Sequence, residues 1–266
     1  MLYEKITKVD LDEIRELQPP DWDDIIPDIE FYINLSFCEP IKATIDNIIV
    51  GIGTKIVFEN TAWIAHIIVR NQYRNNGIGF LLVNHLLDTL RKQSIQTCSL
   101  IATSLGKPIY AKAGFRVASE YLFFKREKPW IESDFSNKII PFDEKYRNAI
   151  YDLDREISGE NREILLEVFA KKSILYVSNN IVEGYYMPDL KEGLIFAIND
   201  EAGLELMKLK YSITDKAVLP FENISGRDFL LNNGFVETSI GTRMIIGKDI
   251  DYKPDRMYSR IGGNFG

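Results

Sequence analysis

Between Ala62 and Leu90 the chain changes its hydrophobic period in a way that leaves few folds open. The apolar run Ala62-Trp63-Ile64-Ala65-His66-Ile67-Ile68-Val69 reads as a strand, and Arg70-Asn71-Gln72-Tyr73 leads out of it into Arg74-Asn75-Asn76-Gly77-Ile78-Gly79. From there Leu82, Val83, Leu86, Leu87 and Leu90 recur at helical spacing, with Asn84, Asp88, Arg91 and Lys92 on the other side. A strand that passes through glycines into an amphipathic helix must lay that helix back on its own sheet. The next strand, Thr97-Cys98-Ser99-Leu100-Ile101-Ala102, then runs parallel to the first, because a helix intervenes. The two glycines also allow the main chain to approach an anion, and the first helical turn offers unpaired N–H groups and the positive end of a dipole. Arg74 adds a permanent positive charge at the rim.

The segments around this unit extend the pattern. A short strand is predicted near Leu2–Val9, then a helix over Asp10–Leu17 that begins at an aspartate cap and stops at Pro19-Pro20. A second helix begins after Pro27, with Asp28 as its cap and Ile29, Tyr32, Ile33 and Phe37 facing inward. Ile41–Ile45, Ile48–Val57 and Ala62–Val69 read as an antiparallel meander with turns at Asp46-Asn47 and Glu59-Asn60-Thr61. A short helix near Lys107–Ala113 ends at Gly114, and Phe115–Lys125 forms a further strand.

Arg-x-x-Gly-x-Gly differs from the dinucleotide fingerprint Gly-x-Gly-x-x-Gly and lacks the Gly-Lys-Ser/Thr ending of a triphosphate loop. It resembles the acetyl-CoA pyrophosphate loop of the GNAT acetyltransferase superfamily. A second motif, Pro108-Ile109-Tyr110-Ala111-Lys112-Ala113-Gly114-Phe115, is similar to that family's Tyr-x-Lys-x-Gly-Phe. The resemblance implies an α/β (α+β) fold, with a mixed, mostly antiparallel central sheet flanked by helices. It also implies acetyl-CoA as cosubstrate, main-chain contacts to it from Ile67, Ile68 and Val69, and a phosphate cradle of Arg74, Asn75, Asn76, Gly77, Ile78 and Gly79. The bland alternatives are a core strand and a capped helix start, and the Ile78 side chain is expected to pack inward.

Beyond Lys128-Pro129-Trp130 the composition shifts. A linker over 129–142 leads to a helical region, Glu144–Lys172, broken at Ser158-Gly159. Strands follow at Ile181–Met187, Leu194–Ile198, Ala217–Phe221 and Phe235–Ile246, with helices at Glu201–Tyr211 and Ser225–Asn233. Asn233-Gly234-Phe235 echoes Ala113-Gly114-Phe115, which suggests a divergent duplication. The expected division is a catalytic domain over 1–128 and a degenerate GNAT-like domain over 143–266, as in bacterial two-domain relatives. Asp154-Arg155-Glu156-Ile157-Ser158-Gly159-Glu160-Asn161-Arg162, Arg243-Met244 and Gly247 resemble their second domain. Leu194–Ile198 passes through Asn199-Asp200 into its helix without a glycine loop, so no second acetyl-CoA is expected there. The tail from Met257 is either a frayed end or a segment returning to a cleft.

Charge and composition narrow the function classes. The 266 residues carry a formal charge of −7, with −1 on residues 1–128 and −6 on 129–266. That balance argues against a nucleic-acid binder that relies on neutralising phosphates, and it suits a neutral or cationic small substrate. No apolar run reaches the length of a membrane span and no signal-type leader is apparent, so a cytoplasmic location and no membrane partner are expected. Cys38 and Cys98 have neither metal nor redox spacing, and with only His66 and His85 a histidine-built metal site is not expected.

Acyl transfer to an amine needs a neutral nitrogen, a stabilised oxyanion and a protonated thiolate. The resemblance gives Tyr110 the last task, against a packing tyrosine. His66 is the tempting general base, against a satisfied histidine on an apolar strand; Glu30, Glu39 and Glu59 are weaker candidates. Asp21, Trp22 and Asp23, with Asp24 beyond, could hold a cationic amine by charge and cation–π contact, or form a solvated loop. The expected activity is direct acetyl transfer to a small-molecule amine, with a homodimer as one allowed assembly. A non-catalytic acyl-CoA sensor and an O-acyltransferase share every motif named.

Overall fold

The β-branched, glycine-marked residues from 38 to 69 fold as the meander their alternation requires. The computed structural model describes residues 1–20, 22–130 and 134–265. Strand β1 (Leu2–Lys5) is followed by helices α1 (Leu11–Arg15) and α2 (Ile26–Asn34), then by β2 (Cys38–Ile45), β3 (Ile48–Phe58) and β4 (Thr61–Val69). The four strands pair antiparallel in the order β1-β2-β3-β4. Asp46 and Asn47, both at positive φ, make the tight turn whose twist suits a hairpin. Helix α2 begins at Ile26, one residue before Pro27, because a proline in the first turn has no N–H to lose.

Helix α3 (Ile78–Lys92) returns the chain to β5 (Thr97–Ala102), which lies parallel to β4. Leu82, Val83, Leu86, Leu87 and Leu90 are all buried, and each contributes about 2 kcal/mol of apolar burial. Helix α4 (Lys107–Lys112) and strand β6 (Arg116–Arg126) follow.

The later elements are β7 (Ile139–Pro141), α5 (Arg147–Ser158), α6 (Glu163–Phe169), β8 (Ile174–Ser178), β9 (Ile181–Met187), β10 (Leu194–Ala197), α7 (Asp200–Ile213), β11 (Lys216–Pro220), α8 (Ile224–Asn232), β12 (Phe235–Gly247) and β13 (Met257–Ser259). Three differ from expectation. Strand β7 lies within the expected linker, part of which, residues 131–133, is outside the described residues. Strand β8 follows the helical region directly, and β13 gives the tail a paired strand beside β10.

The chain forms two units. The first comprises Met1–Arg116 with Met244–Lys248 and Phe265; the second comprises Val117–Arg243 with Asp249–Asn264. These bounds differ from a division at residue 128: the chain from Val117 onward already belongs to the second unit, and two late stretches belong to the first. Met244–Lys248 lies beside the start of β5: the Lys248 N–H donates to the Gln96 carbonyl (3.1 Å) and the Thr97 hydroxyl to the Lys248 carbonyl (2.8 Å). The first unit's core gathers Ile64, Val83, Leu86, Leu100, Phe115 and Met244.

In the second unit β11 pairs antiparallel with β6, and a further sheet has the order β13-β10-β9-β8-β7. Leu122, Tyr176, Ile195, Leu206, Tyr211, Phe235 and Tyr258 build its core. Its Asp154–Arg162 motif is buried: the Arg162 guanidinium grips Asp154 through two N–H donors at 3.0 and 2.6 Å, and Tyr185 donates to the same carboxylate at 2.5 Å.

Candidate active site

Strands β4 and β5 pair only at their beginnings, Thr61–Trp63 against Thr97–Ser99. Both continue past that point, β4 to Val69 and β5 to Ala102, so the ladder forks. On its other edge β4 stays paired with β3 to its end, with Ile68 opposite Ile52 and Val69 opposite Gly51. The Arg70 N–H donates to the Val50 carbonyl at 2.9 Å, so by antiparallel alternation Ile68 shares the bonded edge while Val69 turns its main chain toward the fork. The Val69 carbonyl there accepts the Arg74 Nε–H at 3.0 Å. Ile68 is buried, and Ile67 and Val69 are half-buried.

Beyond the fork the loop enters α3. Gly77 caps the helix at φ +77°, a conformation a β-carbon disfavours, and a β-carbon placed there would meet nothing within 4 Å. The first intrahelical bond runs from the Leu81 N–H to the Gly77 carbonyl, so the N–H groups of residues 78–80 project from the helix end. Asn75 is also left-handed, and the Asn76 amide donates to the Tyr73 carbonyl at 3.3 Å. Arg74, Asn75 and Asn76 are exposed; Ile78 turns its side chain inward, onto Ala43, Val50 and Leu82. Gly79 lies so that a β-carbon would be 3.5 Å from Ile109 and 3.6 Å from Val69, which brings α4 against the start of α3. Lys112, also on α4, stands 4.7 Å over the Phe80 ring.

Tyr110 is carried on α4. Its ring packs edge-on to Phe115 at 6.0 Å, and Gly106 makes the room, since a β-carbon there would stand 2.8 Å from the ring. Burial pushes the phenol up to about 12, so it is a hydrogen-bond donor throughout the physiological range.

His66 leaves the sheet's alternation. The register of β3 against β4 shifts between Ile52 and Thr54, and His66 takes φ +50° at that bulge. Its ring reaches α2, where Nδ1 lies 2.9 Å from the Tyr32 hydroxyl and Nε2 3.4 Å from the Asp28 carboxylate. Trp22 meets it edge-on at 5.9 Å. Asp28 is therefore not the helix cap that the sequence suggests. The Asp24 carboxylate takes the Ile26 N–H at 3.0 Å instead.

The acidic segment does not act as one cluster. Asp21 lies outside the described residues, Asp23 is exposed and Asp24 faces Arg15 at 3.9 Å. The Trp22 and Asp23 carbonyls accept from the Gln18 amide, which folds the segment back on α1. Glu39 pairs with Lys55 at 3.1 Å, Glu59 occupies a hairpin turn and Glu30 is exposed. The pairing of Asp28 and Tyr32 with His66 could not be read from sequence, because a bulge leaves no periodic signal.

In the second unit the start of α7 is built differently. The Asn199 side chain caps it, accepting the Ala202 N–H at 2.9 Å, and Tyr258 donates to Asp200 in the first turn at 2.6 Å. Among the described residues no group of His, Cys, Asp and Glu could hold a metal ion, and no helix is long and apolar enough to cross a membrane. Both cysteines are free and buried.

A forked parallel pair, a glycine-capped helix at the fork and a tyrosine on the next helix give the first unit the arrangement expected of a GNAT acetyltransferase domain. Residues 32–126 match the family model described as acetyltransferase (GNAT) domain, so the chain carries a GNAT acetyltransferase domain over that stretch. The whole chain is similar in fold to a protein of Pyrococcus horikoshii described as an acetyltransferase: 19% identity, 100% of this chain and 95% of that one, TM-score 0.84. A GCN5-related N-acetyltransferase from Sphaerobacter thermophilus gives 14% identity over 95% and 98% of the two chains, with a TM-score of 0.64. A conserved protein of Enterococcus faecalis, described as a probable N-acyltransferase, gives 16% over 96% and 73%, with a TM-score of 0.58. At these identities the likeness is one of fold. A search of curated proteins finds no match.

Proposed function

We propose that the chain transfers an acetyl group from acetyl-CoA directly to an amine of a small molecule. The observation that carries the reading is the helix start at Gly77, where open space replaces a side chain at the end of a strand that has parted from its neighbour. A pyrophosphate there would meet the N–H groups of residues 78–80, the positive end of α3 and the charge of Arg74. The pantetheine arm would lie in the fork and take main-chain bonds from Ile67 and Val69. The start of α7 carries its own cap and a carboxylate, which supports one acetyl-CoA per chain.

Tyr110 serves the leaving group in this reading. A phenol at about 12 does not hand its proton outright to a thiolate whose conjugate acid lies near 8.5. It donates a hydrogen bond as charge develops on sulfur, and completes the transfer as the reacting nitrogen gives up a proton in turn. His66 is the basic group carried at the β4 bulge.

Isothermal titration with acetyl-CoA, followed by a thiol-release screen over amines, amino acids, polyamines and aminosugars, tests the reading. Micromolar-range binding and release stimulated by an amine are expected. Absence of binding would remove it, and release stimulated only by alcohols would replace it with O-acyl transfer.

A further inference from the structure

Between the end of α2 and the start of β2 the first unit leaves a cavity of about 310 Å³, at the lower end of the range for small-molecule sites. The course of the chain creates it. Leu35 leaves the helix in an extended conformation (φ −112°, ψ 127°), and the Cys38 N–H then donates to the Leu35 carbonyl at 3.1 Å. The Ile6 N–H donates to the Pro40 carbonyl at 3.0 Å. The end of β1, the last turn of α2 and the start of β2 are thereby fixed around one space. Its wall is apolar and held in place: Ile6 and Pro40 are buried, and the fully buried Tyr32 is anchored through its hydroxyl, 2.9 Å from Nδ1 of His66.

The rim carries two opposite electrostatic features. Lys5 is the one charged residue among the described residues that line the cavity, and it has no ion-pair partner among the described residues. Lys42, on the adjoining strand, is by contrast paired with Asp10 at 2.5 Å. The second feature is the C-terminus of α2, where the carbonyls of Ile33 and Asn34 lie beyond reach of any intrahelical donor and carry the negative end of the helix dipole. A lone carboxylate would suit Lys5 but meet that negative end. A lone ammonium would suit the carbonyls but meet Lys5. A molecule that carries both charges a bond or two apart satisfies both features at once, because the ammonium brings three donors and the carboxylate only acceptors.

We propose that this cavity binds an apolar α-amino acid as its zwitterion. The carboxylate lies on Lys5, the ammonium on the carbonyls of Ile33 and Asn34, and the apolar side chain against Ile6, Leu35 and Pro40. The exposed Ser36 hydroxyl adds a donor for the carboxylate at the same rim. The site is separate from the fork, since none of the residues that line it belongs to the loop at 70–79, to α3 or to α4. It holds whether or not the chain transfers acetyl groups.

Three ligands of nearly one shape test the assignment by calorimetry and NMR: L-leucine, 4-methylpentanoate, which lacks the ammonium, and 3-methylbutylamine, which lacks the carboxylate. Leucine is expected to bind with a Kd of about 1 mM or below, and each analogue at least about tenfold more weakly. The Ile6 methyl resonance of isoleucine-labelled protein, assigned through Ile6→Val, is expected to shift along the same isotherm, which separates this cavity from an acceptor site elsewhere. Lys5→Met keeps the aliphatic stem and removes the charge. It is expected to weaken leucine at least about tenfold at an unchanged thermal midpoint, with Lys5→Arg restoring most of the affinity. Absence of leucine binding up to about 10 mM, equal binding of leucine and either analogue, or an isotherm that leaves the Ile6 methyl unmoved overturns the proposal. Unaltered leucine affinity in Lys5→Met does the same.

Discussion

Tyr110 illustrates how burial decides what one side chain can do. Its phenol is raised by loss of water contact, not by a charged neighbour, so removing the hydroxyl leaves no buried charge behind. Tyr110→Phe is expected to lower kcat by about 10² while the acetyl-CoA Kd changes less than about twofold, as stopped-flow thiol release and calorimetry would register. Equal turnover would reduce the residue to packing. The same shift has a consequence for stability. The folded chain keeps this proton up to about 12, while the unfolded chain releases it near 10, so between those values the folded state binds more protons and stability falls as pH rises. Denaturant titrations at pH 9 and 11 are expected to show a smaller loss for Tyr110→Phe than for the parent chain. Gly77, Gly79 and Tyr110 stand out in sequence because they sit in short motifs of fixed spacing. Asp28 and His66 do not, because 38 positions separate them and a strand bulge brings them together.

At the scale of the element, the loop from Arg70 to Gly79 is held at both ends. The Arg70 guanidinium is buried, donates to the Ile49 carbonyl at 2.7 Å, and pairs with Glu16 at 2.5 Å and Glu13 at 3.1 Å, fixing the exit of β4 against α1. Arg70→Met leaves the buried Ile49 carbonyl without its guanidinium donor and removes the ion pairs to Glu13 and Glu16. A loss of about 2 kcal/mol in chemical denaturation and weaker acetyl-CoA binding are expected, with partial recovery in Arg70→Lys. Gly77 is a cleaner probe, because only its φ, and no neighbour, opposes a side chain. Gly77→Asn is expected to cost under about 1 kcal/mol, since asparagine tolerates the left-handed region. Gly77→Glu should fold comparably and lose acetyl-CoA; retained affinity in the glutamate variant would remove the loop assignment. Elements with a long period, such as α3, β3 and β4, were readable because apolar spacing and turn residues agree. Strands β7 and β13 have three residues each, too few for alternation to register, and β8 follows a helical run with no turn signal to separate it.

For the molecule as a whole, the decisive strand is β12, whose last residues belong to the first unit although they lie far along the chain. The sequence marks β12 as a strand, but nothing local in Phe235–Gly247 states which strands it will join, and a boundary near residue 128 is all that its pattern supports. Met244 is 1% exposed among Ile64, Leu86, Leu100 and Phe115, and Gly247, at φ +99°, passes so close to Gln96 that a β-carbon would lie 2.0 Å from its carbonyl oxygen. Without residues 244–248 the β5 edge would lose the bonds at Gln96 and Thr97, and the core would open a cavity where Met244 stood. A fragment of residues 1–128 is therefore expected to lack a cooperative thermal transition and to bind no acetyl-CoA. Within the full chain, Met244→Ala should cost about 3 kcal/mol, read as a lower denaturation midpoint at unchanged slope. Should the fragment melt cooperatively and bind acetyl-CoA with the affinity of the full chain, the late strand would be dispensable, and the first unit would be complete without it.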